Sequence, residues 1–314
     1  MTEFHLYLII TLIMVAFLNS NAGWVGSRPQ KSTENLMIIE RLAAASTKQK
    51  DYRRPPENHM TFGYGIKGTM EEQVATMEYV FPIIDGKETR FAFQLETPNF
   101  SSVVSQFGAH TSCFGPRDKN TYELKTTDEE YLRAHMNADG FFFRSMNARE
   151  WGLDYNHVID ISAELCSKIA HFIALELQNI GRDSYINRVQ AVLSFVQYIP
   201  YGMPDFDHQE HCYFGVSLPH ESVAISYSDC DSKSALFAGI LRHLIKHENI
   251  VLVSCEIDEG GHMVVGVSDL PFSGQRESHN GKDYLLLETT TPIPINSQVE
   301  QRFRNVNVIS VKSA

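Results

Sequence analysis

The stretch Ser228-Asp229-Cys230-Asp231-Ser232-Lys233-Ser234 stands where a polar loop gives way to the apolar stripe Leu236, Ile240, Leu241, Leu244. Ser228 and Asp229 are good N-cap residues, so the pattern puts Cys230 in the first turn of a helix. A helix N-terminus favours a thiolate and lowers a thiol pKa. Asp229 and Asp231 oppose this, since each disfavours a second negative charge, and a nearby imidazolium is needed to win. His262 can supply one. It follows Glu259-Gly260-Gly261 and opens the apolar run Met263–Val267. Farther on, Tyr284–Leu287 reads as a buried strand ending in Glu288-Thr289-Thr290. An acid there is costly unless paired, and a His on the neighbouring strand is a suitable partner. The order Cys230, His262, Glu288 then gives nucleophile, base and orienter. Taken singly, each residue has an ordinary alternative: a cysteine in a helix is usually core, and a lone histidine usually structural.

The elements that must hold these residues are legible around them. Leu165, Ile169, Phe172, Ile173 and Leu177 recur at helical spacing, which predicts a helix over about 160–180 that Gly181 ends. Val189, Val192, Leu193 and Val196 predict a second helix over 185–198, broken by Ile199-Pro200-Tyr201-Gly202. A long loop runs to Ser228. A helix over about 230–246 follows, then strands at 250–256, 262–267 and 284–289. One helix feeding several strands makes an α+β arrangement. Upstream, Tyr79–Ile84 and Thr89–Leu95 flank Asp85-Gly86, a strong hairpin turn, with Phe91, Phe93 and Leu95 on one face. Residues 69–150 read as a small β-rich domain, and 151–314 as the domain bearing the site. The aromatic run Phe141–Phe143 reads as core or domain interface.

The chain has 314 residues, 43% hydrophobic and 21% charged, which excludes wholesale disorder and a coiled coil. Its net charge of −11 repels phosphate backbones, and it has no dense Lys/Arg run, so nucleic acid is not an expected partner. The apolar run Leu6–Leu18 is too short for a comfortable membrane span of about 20 residues. With Ser20-Asn21-Ala22 behind it, residues 1–22 read as a signal peptide cleaved after Ala22. The absence of Lys or Arg before the run, and Glu3 within that stretch, leave an uncleaved anchor as the alternative. Either way the rest is exported, to a periplasmic or secreted destination. Residues 23–68 read as a polar linker or pro-segment. Five cysteines are an odd number for an exported chain, so at least one thiol is free or paired with another molecule.

Five stretches occur in an order that resembles the transglutaminase-like cysteine-enzyme superfamily, in its exported bacterial branch. They are Phe195-Val196-Gln197-Tyr198-Ile199-Pro200-Tyr201, Leu218-Pro219-His220-Glu221-Ser222, Asp229–Ser234, Gly261–Val267 and Leu287-Glu288-Thr289-Thr290. The resemblance covers about 154–294. It implies a papain-like α+β core, with the cysteine helix packed on an antiparallel sheet that carries the His and the acid. Cys230, His262 and Glu288 match the catalytic positions. The acid is commonly Asp in that superfamily, and an aromatic often follows the His where Met263 and Val264 stand here. The implied chemistry is acyl transfer on a protein or peptide substrate, hydrolysing peptide or isopeptide amides. Protein cross-linking to an amine, or a non-catalytic binding module that keeps the fold, are the alternatives. The Cys230 N–H is one oxyanion donor. Gln197 or the Tyr201 hydroxyl is the candidate second.

Other residues weigh less. Asp205–Cys212 holds close carboxylates and imidazoles, but its spacing matches no zinc pattern and an acidic surface loop explains it. No cofactor or metal is expected, although cation-dependent transglutaminases leave calcium open. Asp283 is a rival third member placed at its strand's beginning. His220 and Lys233 are near the motif in sequence. Cys166 and Cys255 read as core thiols, and loop residues Cys113 and Cys212 could pair, which sequence does not establish.

Overall fold

The computed structural model describes residues 65–71, 74–96, 107–110, 130, 141–145, 150–202, 207–208, 211–212, 215–224, 227–258, 260–297 and 303–314. The expected signal segment, the linker up to residue 64, Cys113, and residues 203–206 and 209–210 of the acidic loop lie outside the described residues. Among the described residues no helix is long and apolar enough to cross a membrane.

The fold is α+β, with helices packed on an antiparallel sheet. It begins with a meander, β1 (Gly65–Glu71), β2 (Val74–Ile84) and β3 (Lys87–Glu96), in the order β1-β2-β3. β1 starts at Gly65, so it takes in the last four residues of the expected linker. Asp85 and Gly86 both take positive φ, 48° and 72°, as a two-residue hairpin turn requires. Short antiparallel pairs follow: β4 (Ala109–His110) with β8 (His211–Cys212), β8 with β7 (Asp207–His208), and β5 (Phe141–Ser145) with β6 (Glu150–Leu153). The acidic loop thus carries a small hairpin whose backbone meets the 109–110 segment.

Helix α1 (Tyr155–Asp160) is capped by the Asp154 carboxylate, which accepts from the Asn156 and His157 N–H groups. Helix α2 (Ala163–Asn179) ends at Gly181, whose φ of +67° lets Arg182 N–H reach Leu177 O at 2.8 Å and Gly181 N–H reach Gln178 O at 2.9 Å. Helix α3 (Tyr185–Gln197) starts on Ser184. Phe195 is fully buried against Tyr79 and Phe81 of β2, at ring distances of 5.4 and 5.2 Å, while Phe91 of β3 stacks on Phe172 at 4.3 Å. The meander and the helices therefore bury one another. Covering Phe195 alone contributes about 2–3 kcal/mol.

Helix α4 (Pro219–Ala224) interrupts the long loop, and α5 (Cys230–Leu241) follows. Ser232 through Leu241 are all buried, because α5 is sandwiched between α1–α4 and the sheet. It ends five residues before the expected Lys246; Arg242 is its C-cap and the chain continues in tight turns. The sheet comprises β9 (Ile250–Ile257), β10 (Gly260–Ser268), β11 (Arg276–His279), β12 (Lys282–Leu287) and β13 (Arg304–Ser310), in the order β11-β12-β10-β9-β13. Period-two alternation divides its faces. Leu252, Met263, Val265, Leu285 and Leu287 join the main core, while Val251, Val253, Val264 and Leu286 form a second cluster under Phe303, Val306 and Val308.

Gly239 is where α5 and α2 touch. A Cβ there would lie 2.9 Å from Cys166 Sγ. Gly239→Ala is expected to destabilise the chain by about 1–3 kcal/mol in urea denaturation. Cys166→Ala in the same chain should recover part of that loss, since it removes the clashing sulfur. Additive losses in the double variant would show that the contact is not the cause.

Candidate active site

Cys230 is the first residue of α5. The Asp229 carboxylate caps the helix, accepting from Ser232 N–H at 3.3 Å, and the same N–H lies 2.9 Å from Asp231 Oδ1. The first-turn N–H groups have no intrahelical acceptor. With Ser232 satisfied by its cap, the Cys230 N–H remains as the backbone donor beside the thiol. The preceding segment is braced. Ser228 N–H donates to Pro200 O at 3.0 Å, Gly202 N–H donates to Ser228 O at 3.1 Å, and Tyr201 bridges Ser228 in parallel. This lays Tyr201 alongside the approach to Cys230. Only glycine fits at 202, where a Cβ would lie 2.8 Å from the Tyr227 ring.

Helix α5 packs on β10, which brings the Met263 backbone N–H toward the Cys230 sulfur. Cys230 thus adjoins the residue that follows His262. Ser234 strengthens the junction: its hydroxyl donates to Met263 O at 3.2 Å and lies 3.2 Å from the Thr289 hydroxyl. No hydrogen bond joins the Cys230 sulfur to the His262 ring among the described residues.

The histidine and the acid do meet. His262 Nε2 lies 2.8 Å from Glu288 Oε2, with side-chain exposures of only 10% and 7%. Thr290 holds the other carboxylate oxygen, donating to Oε1 from its N–H at 2.7 Å and from its hydroxyl at 2.6 Å. Burial pushes the Glu288 carboxyl up, but the bonds from His262 and Thr290 outweigh it and leave its pKa below the ordinary value. The carboxylate is therefore ionised and can only accept. Nε2 must carry the hydrogen, which leaves Nδ1 as the basic nitrogen of a neutral ring. Phe303 stacks near the ring, with centroids 6.2 Å apart and planes at 18°, and Gln275 clamps the Phe303 backbone through both N–H and C=O.

The thiol differs from the expectation. Burial, then Asp231 and Asp229, push the Cys230 pKa well above its ordinary value, against the lowering effect of the Met263 N–H. The helix terminus does not prevail because burial, the largest cause, is reinforced by the two carboxyl groups that flank the cysteine. Burial and the hydrogen-bonded Asp231 likewise raise Asp229 well above the usual range. Tyr155 donates to Asp231 Oδ2 at 3.0 Å. Alkylation of Cys230 by iodoacetamide should therefore keep accelerating above pH 9. A plateau below pH 8 would mark a preformed thiolate instead.

Gln197 is placed differently from an oxyanion donor. It is buried, and its amide nitrogen donates to Glu288 O at 2.7 Å and to Ile293 O at 3.0 Å. Both of its amide hydrogens are thereby occupied, and it works as a clamp on the turn that carries Glu288. Tyr201 is 42% exposed, with a pKa raised by burial and then by Cys230, Asp229, Asp231 and Glu288, so its hydroxyl end faces the site. Asp283 is exposed at the start of β12 and bonded by the Ser278 hydroxyl, whereas Glu288, just past the strand, holds the histidine. His220 sits elsewhere: its ring meets Ser162 Oγ at 2.9 Å, and burial pulls its pKa to about 4.

Thr290 and Phe303 were not foreseen. The Glu-x-Thr spacing of a side chain accepting from the backbone two residues on is a readable signal for Thr290. Phe303 has none, because only β13 pairing with β9 brings it near. Cys166, Cys230 and Cys255 are free thiols, the first and last buried. Among the described residues no group of three or more His, Cys, Asp and Glu side chains could hold a metal ion. No family model matches the chain, and no curated protein or solved structure matches it either.

Proposed function

We propose that the chain is an exported thiol enzyme of transglutaminase-like type, with a papain-like core, that hydrolyses peptide or isopeptide amide bonds. The observation that carries this reading is the buried Glu288–His262 pair, with Thr290 fixing the acid and Nε2–H fixing the ring, His262 standing on the strand against which the Cys230 helix packs. In this reading the resting thiol is neutral. As an amide carbonyl arrives, His262 Nδ1 takes the thiol proton while sulfur bonds to carbon. The oxyanion accepts from the Cys230 N–H, with the Tyr201 hydroxyl at the rim as second donor. His262 returns the proton to the leaving amine, and water then releases the acid from the thioester.

The same thioester could meet an amine instead and form a cross-link. Release of amine from a quenched peptide library, together with incorporation of a fluorescent amine into a glutamine-rich protein, separates the two outcomes. Amine release with no incorporation supports the hydrolase. The raised thiol pKa favours a second reading, in which the domain only binds. Peptide binding at equal affinity by wild type and Cys230→Ala, with no turnover in either, would establish that reading.

A further inference from the structure

We propose that Lys233 is a positioning residue, a buried counter-charge that offsets the field of Glu288 at the nucleophile. The proposal rests on the acyl-transfer reading of the site. Lys233 stands one turn after Cys230 on α5 and has no exposed surface. A buried lysine is expected only where its charge is matched. Among the described residues its amine makes a single long hydrogen bond, to Gln197 O at 3.4 Å. That same Gln197 donates to the Glu288 carbonyl, so one residue links the amine to the turn bearing the acid.

The charged groups that face Lys233 are Glu288, from beyond β12, and Asp229, from the cap of its own helix. Asp231 and His262 stand behind these, bonded to Asp229 and Glu288 in turn. Of the two facing carboxyls, Glu288 belongs to the proposed catalytic pair, and its pKa lies below the ordinary value. Glu288 is one of the groups that oppose ionisation of Cys230. The Lys233 ammonium, linked through Gln197 to the turn that carries Glu288, cancels part of that opposition without touching the sulfur. Burial brings the amine down to about 7, against the pull of Glu288 and Asp229. The counter-charge is therefore present in mild acid and lost in alkali.

A structural role and this one make different predictions. A buried amine with one long bond costs stability, so Lys233→Met should not lower the melting temperature at pH 6. The iodoacetamide rate at Cys230 should be about tenfold higher in wild type than in Lys233→Met at pH 6, and nearly equal at pH 9. Lys233→Gln, which can keep the bond to Gln197 O without the charge, should behave like Lys233→Met. A rate ratio that does not change with pH, or Lys233→Gln matching wild type at pH 6, overturns the proposal. So does a large loss of melting temperature in both variants. His262→Ala run alongside separates the two levels: unchanged alkylation there sinks the acyl-transfer reading and leaves the Lys233 ratio readable.

Discussion

In the proposed reaction Cys230→Ala is expected to abolish amide cleavage, with a fall in kcat of about 10^5-fold or more, while the fold survives. The size follows from the role. Loss of a nucleophile removes the covalent route altogether, and what remains is binding plus oxyanion stabilisation. The survival follows from the surroundings. Cys230 is only partly buried, and among the described residues the fold depends on no hydrogen bond to its sulfur. Its removal also separates Asp229 and Asp231 from a group whose ionisation they oppose. The stability change should be within about 1 kcal/mol in urea denaturation. In that variant Cys166 and Cys255 should label only slowly with iodoacetamide, because both are buried and burial pushes their pKa values to about 12 and about 11. Full activity in Cys230→Ala would remove the thiol from the mechanism.

Much of the scaffold was readable because local rules and tertiary packing agree there. Asp85-Gly86 has no competing use, and the turn forms as its residues dictate. Helices α2 and α3 follow their apolar stripes to within a few residues, and Gly181 ends α2 where it should. Strands β11 and β13 were not anticipated. β11, Arg276–His279, is an edge strand with no apolar run to announce it. In β13 the Asn-Val alternation is the period-two signal, but polar and apolar residues there are evenly mixed. In the site, residue types and order grouped Cys230, His262 and Glu288, and the last two are hydrogen-bonded. They could not show how the hydrogen bonds are divided. Gln197 looks like a donor in sequence because an amide near a catalytic motif is useful. In three dimensions two carbonyl groups beyond β12 take its hydrogens. The thiol shift was equally hidden. Asp229 and Asp231 were visible as opponents of the helix terminus, but the burial that they reinforce was not.

Glu288→Gln should cost nearly as much as loss of the nucleophile, about 10^4-fold in kcat, although it removes only a charge. The reason lies in Thr290. Its N–H and its hydroxyl both donate to Oε1. A glutamine at this position must turn its oxygen toward those donors, since its NH2 group would meet two hydrogens. The NH2 then faces His262 Nε2, the nitrogen that in the wild type gives its hydrogen to the acid. Nε2 can now only accept, and the proton moves to Nδ1. The ring keeps its place but presents a hydrogen where the mechanism needs a lone pair. Glu288→Ala tests the same point from the other side. It leaves the Thr290 donors and the ring unpartnered but imposes no tautomer, so it should retain more activity than Glu288→Gln while losing more stability. Thr290→Val with Glu288→Gln removes the hydroxyl donor but keeps the backbone N–H at this position, so it weakens the hold on the amide oxygen and only a small part of the activity should return. A Glu288→Gln variant within tenfold of wild type would mean that His262 does not use the nitrogen left free by Glu288.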